Sequence, residues 1–422
     1  MEREKLEEFN EWWFTGKMPD DLLKQYKRDL FSEIVKQIRR RQIISIIGLR
    51  RTGKTTIIQQ VIDFLLKKGV KPKNTLYFSF DETVKELSDV LNTYREINTI
   101  DFRKEETFVF LDEIQKLNRW QDQLKKYYDL YPKIKFVISG SEGLFVKRQA
   151  KETMAGRITE FFLPPLSFKE FLELKGITPT PFAPKIKPEF TDYVMKGGLP
   201  EITLETDLRE VKRYIKSSVI DKVIYKDLSQ LAAVRDIDLM NAIIEIIATN
   251  PGMYLKYQSL AQQLDKDRRT IKEYVTWLRE GFLIRLLGNH RKGRMAAMRK
   301  TKRAYVTDSG IITAFKPVID DAFFSKIVET VIINAVNANT FWKNSYEVDA
   351  VIHNMPLEVK YKEKIIDSDL RGVREFMKKF KARKGILVTK NEEKTKKVKE
   401  GTITFVPAWK FVLNPTKQPP AA

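Results

Sequence analysis

The stretch Gly48-Leu49-Arg50-Arg51-Thr52-Gly53-Lys54-Thr55 decides how the first part of the chain folds, because it fits G-x-x-x-x-G-K-[ST] at every position. An apolar run at residues 42–47 precedes it and is typical of a buried strand. Apolar residues then recur at helical spacing over residues 56–66. This strand–loop–helix order is the setting in which the pattern forms a phosphate-binding loop. The alternative is a chance glycine-rich turn before a helix, which would not require the fixed positions to be in register.

The residue types of this loop suit a nucleotide and its metal ion, so we expect ATP and Mg²⁺ as cofactors. The two glycines allow backbone N–H groups to point at phosphate oxygens, and the helix dipole adds to the attraction. Lys54 is expected to reach the β- and γ-phosphates, and the Thr55 hydroxyl to ligate Mg²⁺. The predicted cofactor-binding residues are Gly48, Arg51, Thr52, Gly53, Lys54, Thr55, Thr56 and Asp112.

A second strand, residues 108–111, ends in the carboxylates Asp112 and Glu113. In a P-loop sheet the adjacent strand ends beside the phosphates, so Asp112 is predicted to share the Mg²⁺ with Thr55. Glu113 is predicted to orient and deprotonate the attacking water. The alternative is a buried strand that ends at a polar turn.

Two further positions are candidates for contacts with the γ-phosphate. The strand that ends in Ser139-Gly140-Ser141 offers Ser139 and Ser141 as sensors of that phosphate. Arg157 follows a glycine and, like the pair Arg50 and Arg51, is a candidate to stabilise developing charge. For Arg157 an arginine finger and a structural ion pair remain equal alternatives.

These motifs resemble the archaeal ATPase family of AAA+-type P-loop proteins. The resemblance also includes residues 28–31, 156–157 and 165–171, and it extends over nearly the whole chain. The turn Gly197-Gly198-Leu199-Pro200 is similar to one that these proteins place near the nucleotide in a helical lid. The resemblance implies a P-loop core, a helical lid, a winged helix and a variable C-terminal domain, and it does not fix a biological role.

Composition narrows the remaining possibilities. The chain has 422 residues, which predicts two or three domains. It has no cysteine, which excludes disulfides, thiolate catalysis and cysteine-ligated zinc, and only two histidines, which disfavours any structural zinc site. No apolar run approaches the roughly 18 residues that span a bilayer, and the charged N-terminus lacks a secretory signal. We therefore expect a cytoplasmic protein without a membrane partner.

Positive charge is concentrated in one segment. The formal net charge is +21, and residues 251–305 hold 14 Lys and Arg against 4 Asp and Glu, a net of +10. Such a field favours a polyanionic partner, nucleic acid or an anionic membrane, and the alternative is a solvated lysine-rich surface. Helices over residues 242–247, 258–264 and 267–278, followed by two strands, predict a winged helix.

We expect this module to bind DNA mainly through its phosphates. In its third helix Ile271, Val275 and Leu278 are predicted to be buried, and Tyr274 to face outward with the basic residues. A module used only for packing or for protein contacts is the alternative. The predicted DNA-binding residues are Arg268, Arg269, Lys272, Arg299, Lys300, Lys302 and Arg303.

Near the C-terminus the order helix–strand–turn–strand–helix–strand carries Glu329, Asp349 and Glu358-x-Lys360. This arrangement resembles the PD-(D/E)xK restriction-endonuclease-like and Holliday-junction-resolvase superfamily, although no proline precedes Asp349. The resemblance implies that Asp349 and Glu358 hold Mg²⁺, that Glu329 adds a ligand, and that Lys360 activates water. Whether the site cuts DNA stays open.

The sequence thus predicts an α/β protein in four parts: an N-terminal helix and P-loop ATPase core at 1–177, a linker and helical lid at 178–236, a winged helix at 237–310, and a nuclease-like α/β domain at 311–422. The predicted function is a Mg²⁺-dependent ATPase that binds DNA, branched or broken DNA included, in DNA processing or repair, with a homo-oligomer as one option. Two alternatives remain. One is a STAND-like signalling or defence switch that cuts nothing, and the other is a protein-remodelling ATPase with an incidental basic face.

Overall fold

The computed structural model describes residues 2–140, 154–180, 186–228, 236–291 and 301–415. It divides the chain into two compact units, Met1–Pro164 and Pro165–Ala422. Within the described ranges, no helix is long and apolar enough to cross a membrane.

The first unit alternates strands and helices, as the sequence predicts. Five described strands pair in parallel in the order β2-β3-β4-β1-β5, which confirms the predicted parallel α/β core. The strands are β1 (Ile43–Ile47), β2 (Thr75–Ser79), β3 (Thr107–Asp112), β4 (Ile134–Gly140) and β5 (Ile158–Phe162). The helices are α1 (Arg3–Glu8), α2 (Trp12–Thr15), α3 (Asp29–Gln37), α4 (Lys54–Lys67), α5 (Leu87–Asn98) and α6 (Trp120–Leu130), with 3-10 turns at Pro72–Asn74 and Ile114–Lys116.

Burial explains why these strands are continuous apolar runs. Every residue of β1, β2 and β3 is buried, as expected for parallel strands covered by helices on both faces. Trp12, Trp13 and Phe14 form an aromatic cluster near the N-terminus. Trp12 donates its indole N–H to Thr75 Oγ1 at 2.7 Å, and Trp13 donates to the Thr75 carbonyl at 2.6 Å, whereas Phe14 is 68% exposed. Two of the three rings therefore attach the N-terminal helices to β2.

The second unit begins earlier than the predicted linker at residue 178. The helix α7 (Phe168–Leu174) precedes that proline-rich segment and packs on α8 (Ile186–Lys196), with the rings of Phe168 and Phe190 5.6 Å apart. Lys175 also pairs with Asp192 at 3.0 Å. The segment therefore connects two helices of one unit instead of separating two domains. Its residues 181–185 lie outside the described part of the chain.

The remaining helices of the second unit are α9 (Leu208–Tyr214), α10 (Ile237–Thr249), α11 (Tyr257–Gln263), α12 (Arg268–Glu280), α13 (Ser309–Phe315), α14 (Asp321–Ala335), α15 (Arg371–Phe380) and α16 (Ala408–Leu413). The chain after α9 continues in wide π-helical turns at Ile215–Ile220 and Lys222–Leu228, and 3-10 turns occur at Pro200–Ile202 and Asp367–Leu370. The strands are β6 (Met253–Leu255), β7 (Ile284–Asn289), β8 (Lys302–Val306), β9 (Thr340–Lys343), β10 (Glu347–Val348), β11 (Ala350–Ile352), β12 (Met355–Lys360), β13 (Lys384–Thr389), β14 (Lys394–Val398) and β15 (Gly401–Pro407).

These strands form two sheets, β10-β9-β7-β8-β6 and β11-β12-β13-β15-β14. The first sheet crosses the predicted boundary at residue 310, because β7 pairs in parallel with β9. The chain passes from one sheet to the other at Asp349, between β10 and β11. A two-residue turn then joins β11 to β12, with His353 and Asn354 at φ 47° and 64°, the geometry of a tight hairpin. Modules 237–310 and 311–422 therefore share a sheet.

The glycine-proline turn predicted for the lid lies in the second unit and is attached to α13. The Gly198 N–H donates to Asp308 Oδ2 at 2.7 Å, and the Gly310 N–H donates to Oδ1 at 2.9 Å. Gly197 adopts φ 84°, and a Cβ there would overlap the Asp308 carboxylate. Burial raises the pKa of Asp308 to about 6, although both N–H groups act in the opposite direction. One buried carboxylate thus holds the turn and caps a helix.

Candidate functional site

The loop between β1 and α4 has the backbone shape that the glycines predict. A Cβ at Gly48 would overlap the Leu163 carbonyl oxygen, so only glycine fits this approach to the chain that leaves β5. Gly53 adopts the left-handed φ of 96° immediately before the helix begins at Lys54. Thr52 closes the loop by donating its hydroxyl to the Leu49 carbonyl at 2.8 Å.

Lys54 places its ammonium group inside this loop. The side chain is buried, and Nζ donates to the carbonyls of Gly48 at 3.0 Å and Leu49 at 3.1 Å. Carbonyl oxygens are weaker partners for an ammonium than anionic phosphate oxygens. The loop therefore concentrates one full positive charge and the first N–H groups of α4 in one place, the arrangement that binds a phosphate chain.

Arg28 holds the phosphate-binding loop through hydrogen bonds, a role that the sequence did not predict. Its guanidinium is buried and donates to the Thr52 carbonyl and to the Pro164 carbonyl, each at 2.9 Å. The only sequence signal was its place in the stretch that resembles the ATPase family. Arg28 links the phosphate-binding loop to the end of β5.

Asp112 lies at the end of β3 and is the centre of a buried hydrogen-bond network. Thr55 donates its hydroxyl to Asp112 Oδ2 at 2.6 Å, and Ser139, at the end of β4, donates to Oδ1. Tyr77 from β2 donates to Oδ2 at 3.2 Å. The structure therefore brings together Lys54, Thr55, Asp112 and Ser139, four of the residues that the sequence assigns to the nucleotide site.

The electrostatics of Asp112 fit a cation beside it. Burial, followed by the charge of Glu113, raises the pKa of Asp112, whereas the hydrogen bonds from Ser139 and Thr55 and the charge of Lys54 lower it. A buried carboxylate next to a hydroxyl supplies the oxygen donors that Mg²⁺ prefers. Thr55 and Asp112 would hold that ion together with phosphate oxygens and water.

Glu113 follows directly and adopts a left-handed backbone, with φ 52°. This conformation is uncommon for a residue with a side chain, and it turns the chain sharply where β3 ends. Its carboxylate accepts a hydrogen bond from the Gln115 side chain. Arg51 is also left-handed, at φ 67°, and exposed, and Thr56 is half-buried in the first turn of α4.

Arg157 does not lie at the nucleotide site of its own unit, and this prediction is corrected. It immediately precedes β5, which runs parallel to β1, so it lies at the opposite end of the sheet from the loop. Its Nε pairs with Asp129 Oδ1 at 3.2 Å. The placement favours the structural ion pair over the arginine finger. Ser141, the second candidate sensor, lies outside the described residues.

A separate acidic cluster forms in the second unit around the predicted nuclease-like residues. Glu329 comes from α14, Asp349 from the break between β10 and β11, and Glu358 and Lys360 from the same face of β12. Asp349 Oδ2 accepts the Val359 N–H at 2.9 Å, and Lys360 pairs with Glu358 Oε1. Glu358 Oε2 is buried and has no hydrogen-bond partner among the described residues.

Arg303 lies inside this cluster, although the sequence predicts that it contacts DNA. It is 7% exposed, and Nη1 lies 3.0 Å from Asp349 Oδ1 and 3.1 Å from Glu347 Oε1. Its Nη2 lies 2.7 Å from Glu329 Oε1, which also accepts the Tyr305 hydroxyl at 2.6 Å. A buried guanidinium committed to three carboxylates cannot contact DNA phosphates, so this prediction is corrected.

The carboxylates of the cluster are held close enough to affect one another. Burial, and then the charge of Asp349, raises the pKa of Glu329 to about 7, while Arg303 opposes the shift. The same two causes raise the pKa of Glu358 well above its usual range. Among the described residues no group of three or more His, Asp or Glu side chains is arranged to hold a metal ion. As arranged here, the cluster does not fit the Mg²⁺ predicted at Asp349 and Glu358, because Arg303 lies between its carboxylates.

Of the other predicted DNA-binding residues, those on α12 form a basic surface with β8. Arg268, Arg269 and Lys272 are exposed. Burial lowers the pKa of Lys302, and the nearby charges of Arg279 and Lys272 lower it further. Tyr274 is corrected as well, because it is buried and accepts the Asp236 N–H at 3.0 Å. Arg299 and Lys300 lie outside the described residues.

Comparison with known protein families adds two matches. Residues 40–172 match a family described as an AAA domain. This segment is similar to an AAA-type P-loop ATPase. The match, with the five-stranded parallel sheet of the first unit, supports nucleotide binding and ATP hydrolysis in general. Residues 187–321 match a domain of unknown function (DUF8612).

Similar proteins are found in bacteria and archaea. An uncharacterized protein of Haemophilus influenzae is 25% identical over 274 residues, which are 63% of this chain and 66% of that protein, just under two thirds. An uncharacterized protein of Methanocaldococcus jannaschii is 28% identical over 436 residues, 93% of this chain and 88% of that protein. The crystal structure of Cdc6p from Pyrobaculum aerophilum covers 75% of this chain and 97% of its own, at 11% identity and a TM-score of 0.32, which is too low to indicate a shared overall arrangement.

Proposed function

We propose that this chain is a Mg²⁺-dependent ATPase that binds DNA through its basic module. The observation that carries the ATPase part is the hydrogen bond from the Thr55 hydroxyl, next to Lys54 in the phosphate-binding loop, to Asp112 at the end of β3. Bound Mg²⁺ would supply positive charge to the phosphates. Lys54 and the N–H groups at the start of α4 would bind and orient the phosphate chain, and Thr55 and Asp112 would hold the cation.

In this proposal Glu113 takes the proton of the attacking water. It directly follows Asp112, and its left-handed backbone sets the direction of its side chain at the end of β3. Gln115 donates a hydrogen bond to the Glu113 carboxylate and so helps to orient the group that accepts the proton. Ser139 donates to Asp112, so its role here is to position that carboxylate, a different role from the γ-phosphate contact that the sequence predicts.

The DNA-binding part of the proposal is supported by fold order and by charge. The order α10-β6-α11-α12-β7-β8, with β8 between β6 and β7 in an antiparallel sheet, supports the winged helix that the sequence predicts. Burial, and then the charges of Arg279 and Lys272, lower the pKa of Lys302, which indicates that the three cations lie on one surface. Such a surface is stabilised by phosphates, because each contact releases condensed counterions from DNA.

Fluorescence anisotropy with labelled duplex DNA over a series of salt concentrations tests this surface. Replacing Lys272 and Lys302 together by Ala should weaken binding to unrelated sequences alike. The slope of log K against log salt should also fall in magnitude by about 0.9 for each lost phosphate contact. The matched control replaces Lys71 and Lys73, two exposed lysines of the first unit, and should leave the slope unchanged. An unchanged slope in the Lys272/Lys302 variant would show that DNA does not bind at this surface.

We also propose that residues 311–422 carry a restriction-endonuclease-like fold. The order of α14, the strands β9 to β12, α15 and β13 agrees with that superfamily, and Glu329, Asp349, Glu358 and Lys360 lie in one cluster. DNA cleavage is not part of the proposal, because Arg303 lies between Glu329 and Asp349.

A further inference from the structure

The guanidinium of Arg303 lies where the carboxylates of the acidic cluster converge. It pairs with Glu329 from α14, and with Glu347 and Asp349 from the strand segment that joins the two sheets. All three contacts are between 2.7 and 3.1 Å. A cation stabilises converging carboxylates from a helix and a strand, because their like charges repel in a buried site. Here an arginine of the same chain supplies that cation.

The position of Arg303 is built by its surroundings. Its Nε donates to the Gly252 carbonyl at 2.8 Å, and its guanidinium lies 5.2 Å from the centre of the Tyr305 ring and 5.9 Å from that of Phe341. A Cβ at Gly252 would lie 2.5 Å from Arg303 Nη2, so only glycine leaves room for the guanidinium. The hydrogen bond and the contacts with the two rings hold Arg303 in one rotamer, and the absence of a side chain at Gly252 leaves space for it.

A second observation is that one carboxylate oxygen beside the cluster has no hydrogen-bond partner among the described residues. Glu358 is 7% exposed, and its Oε2 has no hydrogen-bond partner among the described residues. Leu357, the residue before Glu358, pairs with Ala350, the residue after Asp349, and the Val359 N–H donates to Asp349 Oδ2 at 2.9 Å, so Glu358 lies beside the cluster. A buried and unpartnered carboxylate oxygen next to Asp349 is a donor that a hard divalent cation would use.

We infer that Arg303 is an internal counter-cation that closes the acidic cluster of Glu329, Glu347 and Asp349 to divalent metal ions, and that its removal creates a divalent-cation site there. The inference concerns a site that the proposed ATPase and DNA-binding functions do not use. The inference can therefore be tested in the absence of ATP and DNA, and its failure would not bear on the proposed function.

Mn²⁺ is a suitable probe, since it binds the same oxygen ligands as Mg²⁺ and its free concentration is measured by electron paramagnetic resonance. The full-length Arg303→Met variant should bind one more Mn²⁺ per chain than the wild type, or bind it at least about tenfold more tightly, because a competing charge is gone. Adding Asp349→Asn to Arg303→Met should abolish the gain. The matched control is Arg285→Met. Arg285 is a half-buried arginine of the same unit, and its hydrogen bonds go to the Asn337 side chain and the Ala338 carbonyl, neither of which is a carboxylate.

Thermal unfolding provides a second readout. Mn²⁺ should raise the Tm of Arg303→Met by more than it raises that of the wild type, because only the variant has the additional site and a ligand stabilises the state that binds it. A folded Arg303→Met variant that gains no Mn²⁺ would overturn the inference.

The wild-type background keeps the test decisive if Arg303→Met fails to fold. With Arg303 in place, the wild type and Asp349→Asn should bind Mn²⁺ equally, because neither offers an open site at the acidic cluster. Loss of a Mn²⁺ site on making Asp349→Asn would show that the wild type holds the metal at the cluster, and would also overturn the inference.

Discussion

A single arginine connects the phosphate-binding loop to the strand beside it. Arg28 is buried, and its two terminal nitrogens donate to the carbonyls of Thr52 and Pro164. Both carbonyls lie in loops, where no neighbouring strand pairs with them. The shape of the nucleotide site therefore depends on a residue 20 positions before Gly48 in the sequence.

Replacing Arg28 by Met should affect both stability and nucleotide binding. The buried Thr52 carbonyl and the partly buried contact at the Pro164 carbonyl both lose a charged donor. Hydrogen bonds to charged groups contribute about 1.5–3 kcal/mol each, so the free energy of unfolding should fall by roughly 2 kcal/mol or more. The Kd for ATP should rise, because the loop is no longer held in one conformation. Urea unfolding and nucleotide titration measure the two effects.

Arg39→Met is the control for the Arg28 variant. Arg39 makes an exposed pair with Glu106, so its loss should change stability by less than about 1 kcal/mol and leave ATP affinity unchanged. If Arg28→Met lost stability but bound ATP like the wild type, Arg28 would be a structural residue with no part in shaping the site.

At the scale of helices and strands, local patterns were sufficient for much of the fold. The predicted strands at residues 42–47 and 108–111 and the helices at 56–66 and 258–264 are confirmed within two residues at each end. Their apolar runs, periodicity and flanking turns are local properties of the sequence. The phosphate-binding loop was predictable for the same reason, since its glycines, lysine and threonine are adjacent.

Contacts between distant positions could not be predicted in this way. Arg303 follows a basic segment, which suggests DNA, yet strand alternation turns it toward Glu329 and Asp349 while Lys302 faces α12. Tyr274 lies among exposed basic residues in sequence but on the buried face of α12. Arg157 has a glycine before it, and only the parallel pairing of β5 with β1 shows which end of the sheet it occupies.

Asp308 gives a prediction at this scale, because one carboxylate serves a turn and a helix. Its pKa in the folded protein is about 6, above the value of about 3.9 for an unfolded Asp. The stability that it contributes is therefore fully present below about pH 4 and is lost as the pH rises through about 6. The free energy of unfolding of the wild type minus that of Asp308→Asn should fall by up to about 3 kcal/mol over that window.

Asp207→Asn is the matched control, because Asp207 also caps a helix but lies at the surface. Its hydrogen bonds with Arg209 lower its pKa, so its contribution should be lost as the pH falls, the opposite direction. Urea unfolding at several pH values provides both comparisons. A difference between wild type and Asp308→Asn that does not change with pH would show that Asp308 is not buried as a carboxylate in the folded protein.

At the scale of the whole molecule, the second unit is one body from residue 165 onward. Its sheet β10-β9-β7-β8-β6 contains strands from both predicted modules, and Arg303 of the first module neutralises carboxylates of the second. The basic surface and the acidic cluster lie on opposite sides of β8, at the consecutive residues Lys302 and Arg303. The two modules are therefore joined by one strand.

Truncation tests this continuity. A fragment of residues 165–422 should unfold cooperatively, whereas a fragment of 311–422 should be much less stable. The shorter fragment loses β7 as the partner of β9 and leaves Glu329 and Asp349 without Arg303, and an uncompensated buried charge costs about 3–5 kcal/mol. Hydrogen exchange of the strand amides and urea unfolding measure the difference. Equal unfolding midpoints for the two fragments would show that residues 311–422 form an independent domain.

The central claim is that the loop at Gly48 and the carboxylates at the end of β3 form an ATPase site. Single-turnover hydrolysis of ATP with Mg²⁺, measured together with nucleotide binding, tests it most directly. We expect Glu113→Gln to bind ATP like the wild type and to hydrolyse it at least about 100-fold more slowly, because only the proton acceptor is removed. Lys54→Ala should lose binding itself, while Lys67→Ala, on the exposed end of the same helix, should behave like the wild type. Hydrolysis by Glu113→Gln at the wild-type rate would contradict the account.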